Sequence, residues 1–163
     1  MFLPVSKLPA RTLAGIAIAS FTAVAFALIA QHGFGVKPCP WCVMQRGIFL
    51  IIGVLSGLGW FFSFNNGQRK FALGLVVVLA ICGVAAAVFQ HQVAANMDSC
   101  AMTLADRINT ALDLEERLPY VFMVTASCAE AAAYRLLGLS YDIWSGLLYL
   151  GIAAVSLRAI FKR

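Results

Sequence analysis

The chain has 163 residues, 62% of them hydrophobic and 12% charged, half the charged share of about 25% usual in a soluble domain. That composition excludes an ordinary water-soluble fold, whose helices need far more polar surface than this sequence holds. The net charge of +5 would suit a nucleic-acid binder only if the basic residues were clustered, and their distribution along the chain assigns them a different role.

Lys7 and Arg11 precede the first apolar run, Leu13–Ala30. That run is longer than the 7–15 residues of a signal-peptide core, so it is expected to remain as a membrane span. A loop follows, Gln31 to Gln45, in which Gly33 and Gly35 loosen the chain and Pro38 biases Lys37 towards extended backbone. The loop holds Cys39-Pro40-Trp41-Cys42, and the second charge-free run, Gly47–Phe64, begins just after it. Pro40 suits the first position of a helix, which makes Cys39 the N-cap and places Cys42 in the first turn. The third run is Phe71–Phe89, entered from the short Asn65–Lys70 loop and closed by Gln90-His91. It contains Cys82, read here as a small buried apolar residue.

The long loop from Gln90 to Asp142 has elements of its own. Thr103 to Asp106 resembles a helix N-cap, followed by Leu104, Ile108, Ala111 and Leu112 at helical spacing. Such a helix would rest either on the membrane surface or on other loop residues. Ser127-Cys128-Ala129-Glu130 fits a capping box, so Cys128 is expected in the first turn of a helix that runs to Leu137 and stops at Gly138. The last run, Ile143–Leu157, is short; Ala159–Phe161 extends it when Arg158 snorkels.

A span needs about 20 apolar residues, with about 17 at the low end. The expected fold is therefore an all-α membrane protein, a single domain over residues 1–163. It is a four-helix transmembrane bundle with spans near 13–30, 47–64, 71–89 and 143–161 and short helices in the second of two loops. Lys7, Arg11, Arg69, Lys70, Arg158, Lys162 and Arg163 fall on one side, with no acidic residue; all seven acidic residues lie between the third and fourth spans. This positive-inside pattern places both termini in the cytoplasm and both loops outside it. The basic balance reports orientation rather than a nucleic-acid partner.

Four of the five cysteines, Cys39, Cys42, Cys100 and Cys128, thus face a compartment that permits disulfides. Purely structural bridges are the plain alternative. Against them, a C-x-x-C pair closes so small a ring that it gains the least entropic stabilisation, while the spacing suits reversible exchange. Cys42 lies where free helix N–H groups and the helix dipole favour a thiolate. Arg46, one turn on, would favour it further and could face an electron-rich ligand at the membrane boundary; its plain alternative is an interfacial anchor. Rossmann, P-loop and c-type haem motifs are absent, since Val43 follows Cys42. A dithiol gives up two electrons, and a lipid-soluble quinone is the two-electron acceptor available where the motif sits. His91, on the same side, could contact a quinone oxygen, and His32 is a weaker candidate.

The pattern resembles the DsbB family of disulfide-bond formation proteins. The resemblance rests on Gln31-His32, Lys37-Pro38-Cys39-Pro40-Trp41-Cys42-Val43-Met44-Gln45-Arg46, Gln90-His91, Cys100, Cys128-Ala129-Glu130 and Leu137-Gly138-Leu139, with four spans in the same order. It implies a multi-pass bacterial inner-membrane enzyme with periplasmic cysteine loops that reoxidises DsbA, a soluble periplasmic dithiol oxidase, and reduces ubiquinone or menaquinone. It implies that DsbA attacks a Cys100–Cys128 disulfide at Cys100. Cys128 then exchanges with the Cys39–Cys42 pair at Cys39, which leaves Cys42 as a thiolate beside the quinone and Arg46. Cys82 has no counterpart in this working set, and the Pro40-Trp41 dipeptide is not fixed by the family pattern. A vitamin K epoxide reductase-like enzyme shares the parts, but its loop pair precedes its C-x-x-C and the order here is reversed. No metal is expected: zinc sites pair close-spaced cysteine units, and Cys100 and Cys128 stand 28 positions apart. A structural scaffold is the remaining alternative, and it predicts that no quinone alters the redox state of the cysteines.

Overall fold

Apolar stretches that must bury their backbone polar groups in lipid can do so only as helices or closed barrels, and this chain uses helices. The structure, a computed structural model, describes residues 7–96 and 103–162. Four helices are long and apolar enough to cross a membrane: α1 (Lys7–Phe34), α2 (Pro40–Phe62), α3 (Asn66–Gln92) and α8 (Tyr141–Phe161). The protein is a multi-pass all-α membrane bundle. Between α3 and α8 lie a 3-10 turn at Ala94–Asn96, then α4 (Leu104–Ala111), α5 (Leu114–Arg117), α6 (Pro119–Phe122) and α7 (Cys128–Ala132). A hairpin of β1 (Arg135–Leu136) and β2 (Leu139–Ser140) completes the segment.

The spanning helices reach beyond their charge-free runs because helical backbone continues past the apolar stretch. Charge marks the edge of the hydrocarbon; caps mark the edge of the helix. Asn65 caps α3 by accepting the Gln68 N–H at 2.9 Å. Pro40 opens α2, as its missing N–H predicts.

Neighbouring helices pack in the order α1, α2, α3, α8, and α8 closes back on α1. Leu13, Ile16, Phe49, Ile52, Leu73, Val76, Tyr149 and Ile152 form the core between them. With lipid outside, helices associate through close packing rather than exclusion from water, and two glycines let this happen. A Cβ at Gly83 would stand 2.6 Å from the ring of Tyr149, and one at Gly59 would stand 2.9 Å from Cβ of Ala72. Tyr149 stacks on Phe49 with ring centroids 4.1 Å apart and donates its hydroxyl to the Gln45 carbonyl at 2.7 Å. Phe26, Ile29, Ile51, Val54, Val78 and Ile81 face outward, as lipid-facing side chains should.

Two expectations fail. Cys82 is not buried but exposed on the outer face. Its neighbour Gly83 takes the inward position against Tyr149, and one residue is about 100° of helix rotation, since a turn holds 3.6 residues. The helix begun at Cys128 does not reach Leu137; it ends at Ala132. Gly138 marks a hairpin instead, with Leu137 and Gly138 at φ +53° and +84° and Leu136 paired to Leu139. Two successive positive φ values are what a two-residue hairpin turn requires. Trp144 Nε1 donates to the Leu136 carbonyl at 3.0 Å and ties the hairpin to α8. The helix expected after Thr103 forms as α4. It turns Ala105 and Asn109 inward and leaves Leu104, Ile108 and Leu112 exposed, so its apolar stripe is not buried against loop residues.

Candidate functional site

The cysteine motif sits where α2 begins. Cys39 is the N-cap, in extended backbone, and its Sγ accepts the Cys42 N–H at 3.4 Å. The two sulfurs are 2.8 Å apart, and both residues are free thiols. Cys39 is fully buried and Cys42 partly exposed. The hydrogen bond with Cys42, and then burial, push the Cys39 thiol well above its usual value. Cys42 lies in the first turn of α2, one turn from Arg46, where helix N–H groups favour negative charge.

Arg46 is held rather than free to snorkel. Its Nη1 donates to Gln31 Oε1 on α1 at 2.8 Å and to the Val121 carbonyl of α6 at 2.6 Å. Its Nε is buried with no hydrogen-bond partner among the described residues. His32 Nε2 donates to the neighbouring Tyr120 carbonyl at 2.9 Å, so this histidine braces the long loop.

The long loop is docked onto the motif. The N–H groups of Thr125 and Ala126 both donate to the Pro38 carbonyl, at 3.0 and 3.2 Å. Lys37 Nζ lies 3.0 Å from Glu130 Oε1, and that hydrogen bond raises the Lys37 pKa. Asn109 of α4 donates to the Pro40 carbonyl at 3.2 Å. The docking brings Cys128 into one buried cluster with Cys39, Trp41, Ala94, Ala105 and Ala131. Cys128 opens α7 beneath its cap, where Ser127 Oγ accepts the Glu130 N–H at 3.2 Å, and it is disulfide-bonded. Cys100 lies outside the described residues.

Below the motif a cavity of about 770 Å³ opens between α1, α2 and α8, within the roughly 300–1,000 Å³ typical of small-molecule sites. Its walls are mainly apolar, with Val24, Ala27, Phe34, Phe49 and Leu148 among them; Cys42, Arg46, Gln90 and Asp142 supply polar atoms. The cavity offers apolar walls, a thiol and a guanidinium. His91 does not line it. Its Nδ1 lies 2.7 Å from Asp142 Oδ2, so the exposed imidazole stands behind a buried carboxylate that does. Among the described residues no group of three or more His, Cys, Asp or Glu is placed to hold a metal ion.

Four contributors were not singled out as functional from the sequence: Gln45, Gln90, Asp142 and Ser145. Gln45 Nε2 donates to Gln90 Oε1 at 2.8 Å, Gln90 Nε2 points to Cys42 Sγ at 3.2 Å, and the Ser145 hydroxyl donates to Gln45 Oε1. Gln45 and Gln90 carry one signal, being uncharged polar residues that end up inside an apolar bundle. Asp142 and Ser145 carry none beyond lying at the start of the last span.

The model of the family described as "Disulfide bond formation protein DsbB" matches residues 9–159. Relatives named disulfide bond formation protein B include one from Cupriavidus necator, 36% identical over 87% of this chain and 86% of its own length. One from Ralstonia nicotianae is 33% identical over 87% of each chain. One from Polaromonas naphthalenivorans is 28% identical over 100% of this chain and 99% of its own. With a C-x-x-C pair at the head of a four-helix membrane bundle, and a family match along nearly its whole length, this chain belongs to the DsbB family and serves disulfide-bond formation as a disulfide oxidoreductase.

Proposed function

We propose that this protein reoxidises a DsbA-like periplasmic dithiol oxidase and passes the two electrons to ubiquinone or menaquinone. It would do so in the bacterial inner membrane, with both termini cytoplasmic and the cysteine loops periplasmic. The observation that carries the reading is the shared wall: Cys42 and Arg46 line the same apolar cavity at the head of α2.

The relay begins at the Cys100–Cys128 disulfide, where a DsbA thiolate attacks Cys100 and Cys128 leaves as thiolate. The helix start at Cys128 suits that departure, because N–H groups of the first turn favour negative charge there. Cys128 then attacks Cys39 of the Cys39–Cys42 disulfide. The buried contact cluster that Cys39 shares with Cys128 supports attack at Cys39, and the first-turn position of Cys42 suits it as the departing thiolate. A second exchange, in which the remaining DsbA thiolate attacks the DsbA sulfur bonded to Cys100, releases oxidised DsbA. Cys100 then leaves as a thiolate that displaces Cys39 from Cys128, which restores the Cys100–Cys128 bridge. Cys39 and Cys42 are left as a dithiol. A quinone in the cavity supplies the acceptor for two electrons and two protons as that dithiol closes to a disulfide. Arg46, pinned by Gln31 and Val121, holds positive charge beside Cys42 throughout, and Asp142, paired with His91 behind it, lines the same cavity.

The test is to mix the purified protein with reduced DsbA and quinone and to follow quinol formation optically. Steady quinol production that stops in Cys39→Ser or Cys42→Ser is expected. A folded protein that leaves the quinone unreduced, or a topology map that puts residues 39 and 42 in the cytosol, overturns the reading.

A further inference from the structure

Gln90 is a polar side chain that the cysteine chemistry above leaves unexplained. It lies two residues before the end of α3, is 6% exposed, and is directed at the sulfurs. Its Oε1 accepts from Gln45 Nε2 at 2.8 Å, and its Nε2 stands 3.2 Å from Cys42 Sγ and 3.6 Å from Cys39 Sγ. Gln45 is itself 4% exposed. Its Oε1 receives the Ser145 hydroxyl, and its backbone carbonyl receives the Tyr149 hydroxyl.

Hydrogen bonds are directional, so this chain has a sense. While Ser145 donates to Gln45 Oε1, Gln45 has only its NH2 to offer Gln90. Gln90 must then turn its own NH2 onto Cys42. A carboxamide NH2 donates and does not accept, so it matches a thiolate and serves a thiol poorly. The chain can also reverse. Ser145 Oγ lies 2.9 Å from the Asp142 carbonyl, which gives its single proton a second acceptor. With Ser145 donating there, both carboxamides can flip, and Gln90 Oε1 faces the sulfur to accept an S–H. Every polar group keeps a partner in both senses, which buried polar groups require.

We propose that Gln90 is a catalytic residue whose carboxamide holds Cys42 as the thiolate used in the redox reaction, and that Gln45 and Ser145 are positioning residues that aim it. The step is one of acid and base: Cys42 S–H gives its proton to solvent, and no electron moves. It concerns this thiol alone and goes beyond the choice of electron acceptor. The other groups facing Cys42 are Cys39 and Arg46 on its own segment. Lys37, paired with Glu130, and Asp142, paired with His91, lie around the shared cavity. From α4 the residue facing the motif is the neutral Asn109.

The experiment uses the full-length protein with Cys39→Ser and with Cys82, Cys100 and Cys128 changed to alanine, purified free of quinone. Cys42 is titrated through its ultraviolet thiolate absorbance. Gln90→Leu is expected to lower the thiolate fraction near neutral pH about 10- to 100-fold, the size of a lost hydrogen bond to a charged group. Gln45→Leu, which leaves Gln90 in place without its aim, should lower it about 3- to 10-fold, and Ser145→Ala should move it the same way. An unchanged titration in folded Gln90→Leu overturns the proposal. Should that variant fail to fold, Gln45→Leu decides, and an unmoved midpoint there overturns it equally. With neither quinone nor DsbA present, the outcome is independent of whether the quinone reading holds.

Discussion

Replacing Arg46 separates its two roles, anchor and cavity wall. In the structure its Nη1 joins Gln31 of α1 to the Val121 carbonyl of α6, while its buried Nε has no partner among the described residues. Arg46→Met keeps the apolar stem and removes the charge together with every donor. Hydrogen bonds to a charged group are each worth about 1.5–3 kcal/mol. If one such bond is made to bound quinone, its loss raises the apparent quinone KM about 10- to 150-fold, at 1.4 kcal/mol per factor of ten. Arg46→Lys keeps the charge but cannot fork between two acceptors and a ligand, so it should fall between wild type and Arg46→Met. The assay measures initial quinol formation against quinone concentration with reduced DsbA saturating. It is paired with alkylation of the DsbA-reactive cysteines to show that the outer exchange survives. Unchanged quinone kinetics in folded Arg46→Met would refute the assignment, and loss of the outer exchange alone would recast Arg46 as a brace for the long loop.

Gly83→Ala places a methyl 2.6 Å from the Tyr149 ring; overpacking of this kind costs about 1–3 kcal/mol. A lower melting temperature in detergent is expected, partly restored by adding Tyr149→Leu; an unaltered melt would show that α3 and α8 can part without cost. Cys128→Ser should trap a mixed disulfide between DsbA and Cys100, mapped by peptide mass analysis, and a trapped bond at Cys39 would reverse the relay order. Cys82→Ala should retain near-normal turnover, because Cys82 is a free thiol on the outer face away from the motif; severe loss in a folded protein would give it a role.

Much of the architecture was legible because it follows from one-dimensional patterns. Charge-free runs of sufficient length mark the spans, the one-sided basic residues imply an orientation, and Pro40 after Cys39 announces the start of α2. Ser127 and Thr103 were readable as caps because capping uses neighbours three residues apart. The end of the Cys128 helix was misread at Gly138, a residue that stops a helix and turns a hairpin through the same tolerance of positive φ. Cys82 was misread because hydropathy cannot tell which side of an all-apolar helix faces the bundle.

The sequence by itself determined that the chain enters a membrane as helices, and that a closely spaced cysteine pair heads one of them. Composition and spacing are local properties that any arrangement of the helices would preserve. Tertiary structure alone decided that Gln45, Gln90 and Ser145, drawn from three helices, form one hydrogen-bonded chain to Cys42, and that Asp142 stands between His91 and the cavity. Gln45 lies 45 positions from Gln90 and 100 from Ser145 along the chain. Only the rotation of each helix about its own axis, set by close packing at Gly83 and Gly59, brings their side chains to one place.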